Sequence, residues 1–368
     1  MTLAARILCR VVDNFGDAGV CWRFARQLAR EHGWRIRLAI DRPELLERLG
    51  ANPGSDAGRG TIDVEQWRSG ADLAPRDDDV LVSAFGAEPP ASLRASLAGA
   101  PHRPLWVQLE YLSAEDWVGT HHGLRSTKPG DGAIEHFYYP GFDEGTGGLL
   151  REARLFERRD TFVGSPAQRA WLAGLGIDAG PGERLATLFC YPQAPLRAWL
   201  RAVAAGSTPW LVLVPEGVGD EALAAHFGAS PAAGQVLRDA ALTVQRVPFV
   251  AQDDYDRLLW SADLNFVRGE DSWVRAQWAA RPFVWQPYRQ QDDAHLVKLD
   301  AFLHRLEAGA AVDAAMRAWS GDGDWTAAWR VLETRFDALG EPFARWSDVL
   351  GTQDDLCTRF VKFCIERL

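Results

Sequence analysis

Two carboxylates four positions apart, Asp13 and Asp17, lie in the stretch Asp13-Asn-Phe-Gly-Asp-Ala-Gly19 between a strand-like run and a helical pattern. Ligands of open α/β sheets gather just beyond the carboxyl ends of strands, so two carboxylates in this loop make a functional site plausible. Gly16 and Gly19 permit a tight backbone and the close approach of a ligand. The plainer reading makes Asp17 a helix N-cap and Asp13 a turn residue. Gly16-Asp-Ala-Gly19 offers only fragments of the G-x-G-x-x-G dinucleotide fingerprint.

A second stretch, Asp263-Leu-Asn-Phe-Val-Arg-Gly-Glu-Asp-Ser272, runs from a strand through Gly269 into a helix carrying Val274, Trp278 and Ala279. A helix start presents outward N–H groups and the positive end of the dipole, which favour a phosphate. Asp271 or Ser272 as N-cap is the competing structural reading. If a nucleotide diphosphate binds here, the acidic side chains face sugar hydroxyls while the amides of Asp271 and Ser272 take phosphate oxygens. Asp77-Asp-Asp79 contains the D-x-D pattern of metal-dependent glycosyltransferases, but it directly precedes a buried strand and reads as an acidic loop. H-E-x-x-H, G-x-S-x-G and Walker A patterns are missing, and no metal site is expected.

The elements that must position these residues alternate. In the first half, 6–12, 35–40, 79–83 and 105–109 read as strands. Val20, Phe24 and Leu28 line one face of a helix over 18–32, and a short helix over 43–49 starts with Pro43. The alternation restarts with strands at 185–191, 210–214, 242–247, 263–267 and 282–285 and a helix over 194–205. This pattern predicts an α/β fold with mostly parallel sheets. The glycine-rich stretch 174–182 marks the boundary between domains 1–182 and 183–352. Leu356, Phe360 and Cys364, with Val361 and Ile365 beside them, form an apolar stripe on a terminal helix that must pack on something; 353–368 is expected to complete the first domain.

The bulk properties narrow the function. The chain has 368 residues and a formal net charge of −10, which argues against a general nucleic-acid binder. Five widely spaced cysteines without a C-x-x-C pair read as buried thiols in a reducing compartment, and no apolar run approaches a membrane span. A soluble, cytoplasmic protein is expected.

Five ordered motifs then resemble one family, the elongation factor P arginine rhamnosyltransferases (EarP). They are Asp13-Asn-Phe-Gly-Asp-Ala-Gly-Val-Cys-Trp-Arg23, Leu188-Phe-Cys-Tyr-Pro192, Val247-Pro-Phe-Val-Ala-Gln252, Phe266-Val-Arg-Gly-Glu-Asp-Ser272 and Arg281-Pro-Phe-Val-Trp285. The resemblance spans essentially the whole chain. It implies a GT-B fold of two Rossmann-like domains facing across a cleft. It also implies inverting, metal-independent transfer of L-rhamnose from dTDP-β-L-rhamnose to an arginine of elongation factor P, with no cofactor. By the same resemblance Asp17 is the catalytic carboxylate and Asp13 its essential neighbour. Phe189, Tyr191, Phe249, Gln252, Glu270, Asp271 and Ser272 match donor-binding positions, and Arg268 is a further phosphate candidate. Phe249 would pack on the thymine, Gln252 would bond its edge, and Tyr191 with the helix start would hold the diphosphate. Trp273 stands where the family's pattern has Phe. Another GT-B transferase, a Rossmann-type NAD-dependent oxidoreductase and a non-catalytic α/β interaction protein are the alternatives.

Overall fold

Apolar strands that alternate with amphipathic helices bury both faces of a parallel sheet, and this chain does so twice. A computed structural model describes residues 2–13, 15–67, 73, 77–98, 103–129 and 132–368. The chain divides into two units, Met1–Ala153 with Thr352–Leu368, and Arg154–Gly351.

Among the described residues the first unit holds seven strands: β1 (Ala4–Cys9), β2 (Arg35–Ile40), β3 (Thr61–Gln66), β4 (Val80–Ala84), β5 (Leu105–Leu109), β6 (Arg125–Thr127) and β7 (Ile134–Tyr138). Their order is β3-β2-β1-β4-β5-β7-β6, all parallel except β6 against β7. The order reverses between β1 and β4, the switch point beyond whose carboxyl ends such sheets bind ligands. The helix Phe15–His32 is buried almost continuously from Asp17 to Ala29, including Val20, Phe24 and Leu28. Arg23 in that helix is tied to Glu152 at 3.1 Å.

The terminal helix Leu356–Ile365 closes this unit. Asp355 caps it by accepting the N–H groups of Cys357 and Thr358. Phe360 packs edge-on against Phe24 and Tyr138, at 5.0 and 5.1 Å between ring centroids. The Tyr138 hydroxyl lies 3.0 Å from Gly147 O and 3.1 Å from Leu356 O. Ile365 departs from the expected stripe: it is 61% exposed, because the helix is in its last turn there.

The second unit holds β8 (Arg184–Leu188), β9 (Trp210–Pro215), β10 (Val236–Asp239), β11 (Leu242–Val247), β12 (Leu264–Arg268) and β13 (Phe283–Gln286). The order is β10-β11-β9-β8-β12-β13, parallel except for the hairpin strand β10. Its switch point lies between β8 and β12. Trp199, Trp319, Trp325, Trp329 and Phe266 pack together under this sheet, so much of the tryptophan content is core.

The boundary at Ala153/Arg154 precedes the one read from the glycine-rich stretch after residue 174. The helices Leu155–Phe162 and Pro166–Gly174 belong to the second unit because their aromatic and basic side chains pack there. Phe162 meets Trp260 at 5.9 Å, and Arg159 donates to Trp278 O at 2.8 Å. All five cysteines are buried and free. No helix among the described residues is long and apolar enough to cross a membrane.

Candidate active site

In the first unit the chain leaves β1 and enters its helix at Phe15, earlier than the pattern from residue 18 suggested. Asp17 therefore lies in the first helical turn and not before it. Its side chain reaches back over the turn: Oδ2 accepts the N–H of Val12 at 2.7 Å and of Asp13 at 2.9 Å. The Tyr111 hydroxyl donates to Oδ1 across 3.4 Å. Only 3% of Asp17 is exposed. Burial pushes its pKa above the ordinary carboxylate value, the Asp13 charge adds to that, and the two N–H groups and Tyr111 oppose it.

Asp13 accepts Gly16 N–H on its carbonyl at 2.7 Å. A Cβ at Gly16 would stand 3.1 Å from Asp13 Oδ2, so the glycine is what lets that carboxylate lie against the helix start. Asn14 of the motif lies outside the described residues.

Two aromatic residues that the sequence reading did not single out stand at the same end of the sheet. Tyr111 follows β5 and Phe85 follows β4. Their rings stack at 4.4 Å with 15° between planes. Phe85 has φ of +56° and Gly86 +75°, and Ala87 N–H donates to Ala84 O at 3.0 Å, a type I′ turn. Phe in the left-handed region costs about 1–2 kcal/mol relative to an ordinary conformation. The only sequence signal for either is its position just after a predicted strand.

Asp77 to Asp79 lie at the opposite end of this sheet. Asp79 accepts Ala4 N–H at 2.8 Å, and Asp78 pairs with Arg6 at 3.2 Å and with Arg37. Among the described residues no group of three His, Cys, Asp or Glu side chains converges as metal ligands would.

In the second unit the residues expected to hold the donor lie at or just beyond the carboxyl ends of β8, β11 and β12. Gly269, with φ of +60°, turns the chain from β12 into the helix Asp271–Ala279. Glu270 occupies the N-cap position without a side-chain cap bond, so neither Asp271 nor Ser272 is the cap. Ser272 Oγ instead donates to Arg268 O at 2.6 Å and accepts Arg268 N–H at 3.1 Å, locking the turn. The Arg268 guanidinium lies 4.2 Å over the Phe189 ring and 4.6 Å over the Tyr191 ring, and donates to Cys190 O at 3.0 Å. Gln286 Oε1 accepts Tyr191 N–H at 2.8 Å, and Gln252 Nε2 donates to Asp271 Oδ2 at 3.3 Å.

Thus Arg268 directly contacts Phe189, Tyr191 and Ser272, Gln252 contacts Asp271, and Asp271 and Glu270 adjoin Ser272 in the chain. Phe249, half-buried after β11, lies three residues before Gln252. Gln286 was not anticipated. Beneath the site Arg275 and Asp256 form a buried bidentate pair at 2.8 and 2.6 Å, joining the helices that carry Ser272 and Gln252. Trp273 is 2% exposed and stacks flat on Trp285 at 3.6 Å, so the larger aromatic is absorbed by the core.

Two Rossmann-like units with one carboxylate site and one cation-and-amide site narrow the family. The family model of elongation-factor P (EF-P) rhamnosyltransferase EarP matches residues 5–365. The chain belongs to the EarP family. A protein-arginine rhamnosyltransferase of Pseudomonas putida is 44% identical over 373 residues, covering 97% of each chain. A solved EarP structure, concerned with arginine glycosylation of translation elongation factor EF-P, is 34% identical with TM-score 0.72 and covers 100% of both chains. The spinosyn rhamnosyltransferase SpnG, 12% identical with TM-score 0.56 over 98% of this chain and 99% of its own, shares the fold. The fold is that of the two-domain GT-B glycosyltransferases, and this EarP family member is a glycosyltransferase.

Proposed function

We propose that the chain transfers L-rhamnose from dTDP-β-L-rhamnose to an arginine side chain of EF-P, with inversion and without a metal. The observation that carries this reading is the Asp17 carboxylate. One of its oxygens is anchored by two backbone N–H groups, and burial lifts its proton affinity. A guanidinium has pKa above about 12 and is not deprotonated in the ground state. Asp17 and Asp13 hold it by charge-assisted hydrogen bonds and orient one nitrogen. As that nitrogen bonds to the anomeric carbon, the bond from carbon to phosphate oxygen breaks and the nitrogen acidifies. Its proton passes to Asp17, and dTDP leaves.

Charge then grows on the departing diphosphate. The first turn of the helix at Ser272 directs N–H groups outward, and Arg268 adds a fixed cation. Tyr191 completes this grip. Phe249 takes the thymine face and Gln252 its edge, and the acidic Glu270 and Asp271 face sugar hydroxyls. The similarity to relatives named for arginine rhamnosylation supports the choice of acceptor and sugar.

Incubation with dTDP-rhamnose and the EF-P of the same organism, followed by intact-mass analysis, should add one deoxyhexose. NMR of the product should show the inverted anomer, and chelators should leave the rate unchanged. An unmodified EF-P refutes the reading. A retained configuration refutes the inverting step, and a strict divalent requirement refutes metal independence.

A further inference from the structure

The stacked pair beside Asp17 has no part in the chemistry described so far. Phe85 holds a backbone conformation that Gly, Asn or Asp adopts at far less cost. A bulky residue kept in such a place implies that the surrounding structure has a use for its ring. That ring backs Tyr111, which remains 36% exposed. The hydroxyl of Tyr111 points at Asp17 Oδ1. One carboxylate edge and one aromatic face therefore adjoin each other at the carboxyl ends of β1, β4 and β5, neighbours in the sheet.

We propose that Tyr111, buttressed by Phe85, is an acceptor-binding residue whose ring face carries the guanidinium plane of the substrate arginine while Asp17 takes its N–H edge. The inference rests on the arginine-transfer reading and adds to it the group that selects the acceptor. A guanidinium is flat, so it can stack and bond in its own plane at once. A lysine ammonium has no plane, and a neutral amide gains nothing from the ring's negative face. The stack also fixes which nitrogen meets the sugar. The bonds made and broken are unchanged: nitrogen to anomeric carbon forms, carbon to phosphate oxygen breaks, and the proton goes to Asp17.

The test measures kcat/KM for EF-P, KM for dTDP-rhamnose, and thermal melting for wild type, Tyr111→Leu and Tyr111→Phe. Losing the stack should lower kcat/KM for EF-P by roughly 3- to 30-fold in Tyr111→Leu. The donor KM should stay within about twofold, because the reading proposed above gives Tyr111 no part in holding the donor. Tyr111→Phe should keep the ring's share of acceptor efficiency, but it removes a bond that favours ionised Asp17. Its acid limb of kcat/KM should therefore move to higher pH. An unchanged kcat/KM in a folded Tyr111→Leu overturns the inference. So does an equal loss in Tyr111→Phe and Tyr111→Leu, which would assign the effect to the hydroxyl alone. If Tyr111→Leu melts below the assay temperature, the Phe variant decides through its retained efficiency and shifted limb. A wild type that leaves EF-P unmodified refutes the arginine-transfer reading itself, whereas an active wild type with an indifferent Tyr111→Leu refutes only this addition.

Discussion

Replacing Asp17 with Asn separates the chemistry of the carboxylate from its structural part. Oδ2 accepts both Val12 and Asp13 N–H groups, and the single carbonyl oxygen of Asn can accept both as well. The amide NH2 then faces the Tyr111 hydroxyl, which can accept. The turn should survive. On the role proposed for Asp17, the variant lacks the proton acceptor and should lose about 10²- to 10⁴-fold in rate, or roughly 3–5 kcal/mol of barrier.

The stability effect has the opposite sign. Burial raises the Asp17 pKa above 3.8, so the native state binds this proton more tightly than the unfolded chain. Above the unfolded value the ionised group costs the fold free energy, and Asn removes that cost. The variant should melt at or above the wild-type temperature near neutral pH, and the difference should shrink as pH falls toward 3.8. Intact-mass rate measurements and melting curves at two pH values read both effects. A variant that keeps more than about a tenth of the activity contradicts the assigned base. One that melts well below wild type contradicts the account of its burial.

Two further outcomes test the framework around the sites. His122 accepts Tyr139 N–H on Nδ1 and touches Tyr138 and Phe363, and burial lowers its pKa from 6.5 to about 4. Protonation favours the unfolded chain, so up to about 2–3 kcal/mol of stability should be lost as pH falls from 6.5 toward 4. Denaturant melts should show a flatter slope in His122→Asn; an unchanged slope contradicts the assignment. Arg275→Met strands the Asp256 carboxylate in the core and should cost about 3–5 kcal/mol, most of it recovered in the Arg275→Met/Asp256→Leu double variant. A single-variant loss under about 1 kcal/mol would show that the pair does not join the two helices.

Apolar runs made most of the fold legible. β2, β4, β5, β9, β11, β12 and β13 lie within a residue or two of their sequence patterns, because each is a run of mostly buried apolar residues. β3, β6 and β10 were missed because Thr61–Gln66, Arg125–Thr127 and Val236–Asp239 lie at sheet edges and are largely polar, and β7 because Ile134–Tyr138 mixes Glu135 and His136 into a short, partly buried strand. The unit boundary was misplaced because glycines announce a turn but not which core the preceding helices join. Those helices, Leu155–Phe162 and Pro166–Gly174, together bury only Leu155 fully. At the candidate site, Asp13, Asp17 and the Arg268 to Ser272 turn stood out by type and spacing. Tyr111 and Phe85 did not, since a stack between residues after two different strands depends on sheet order. The positive φ of Phe85 also leaves no mark in composition.

The first unit is closed by the last segment of the chain, with Leu356 N–H donating to Leu149 O and Phe360 wedged among Phe24 and Tyr138. During synthesis the middle unit is complete while the first still lacks a wall of its core. A chain stopped before Leu356 therefore carries a complete second unit beside a first unit whose core lies open at Phe24 and Tyr138.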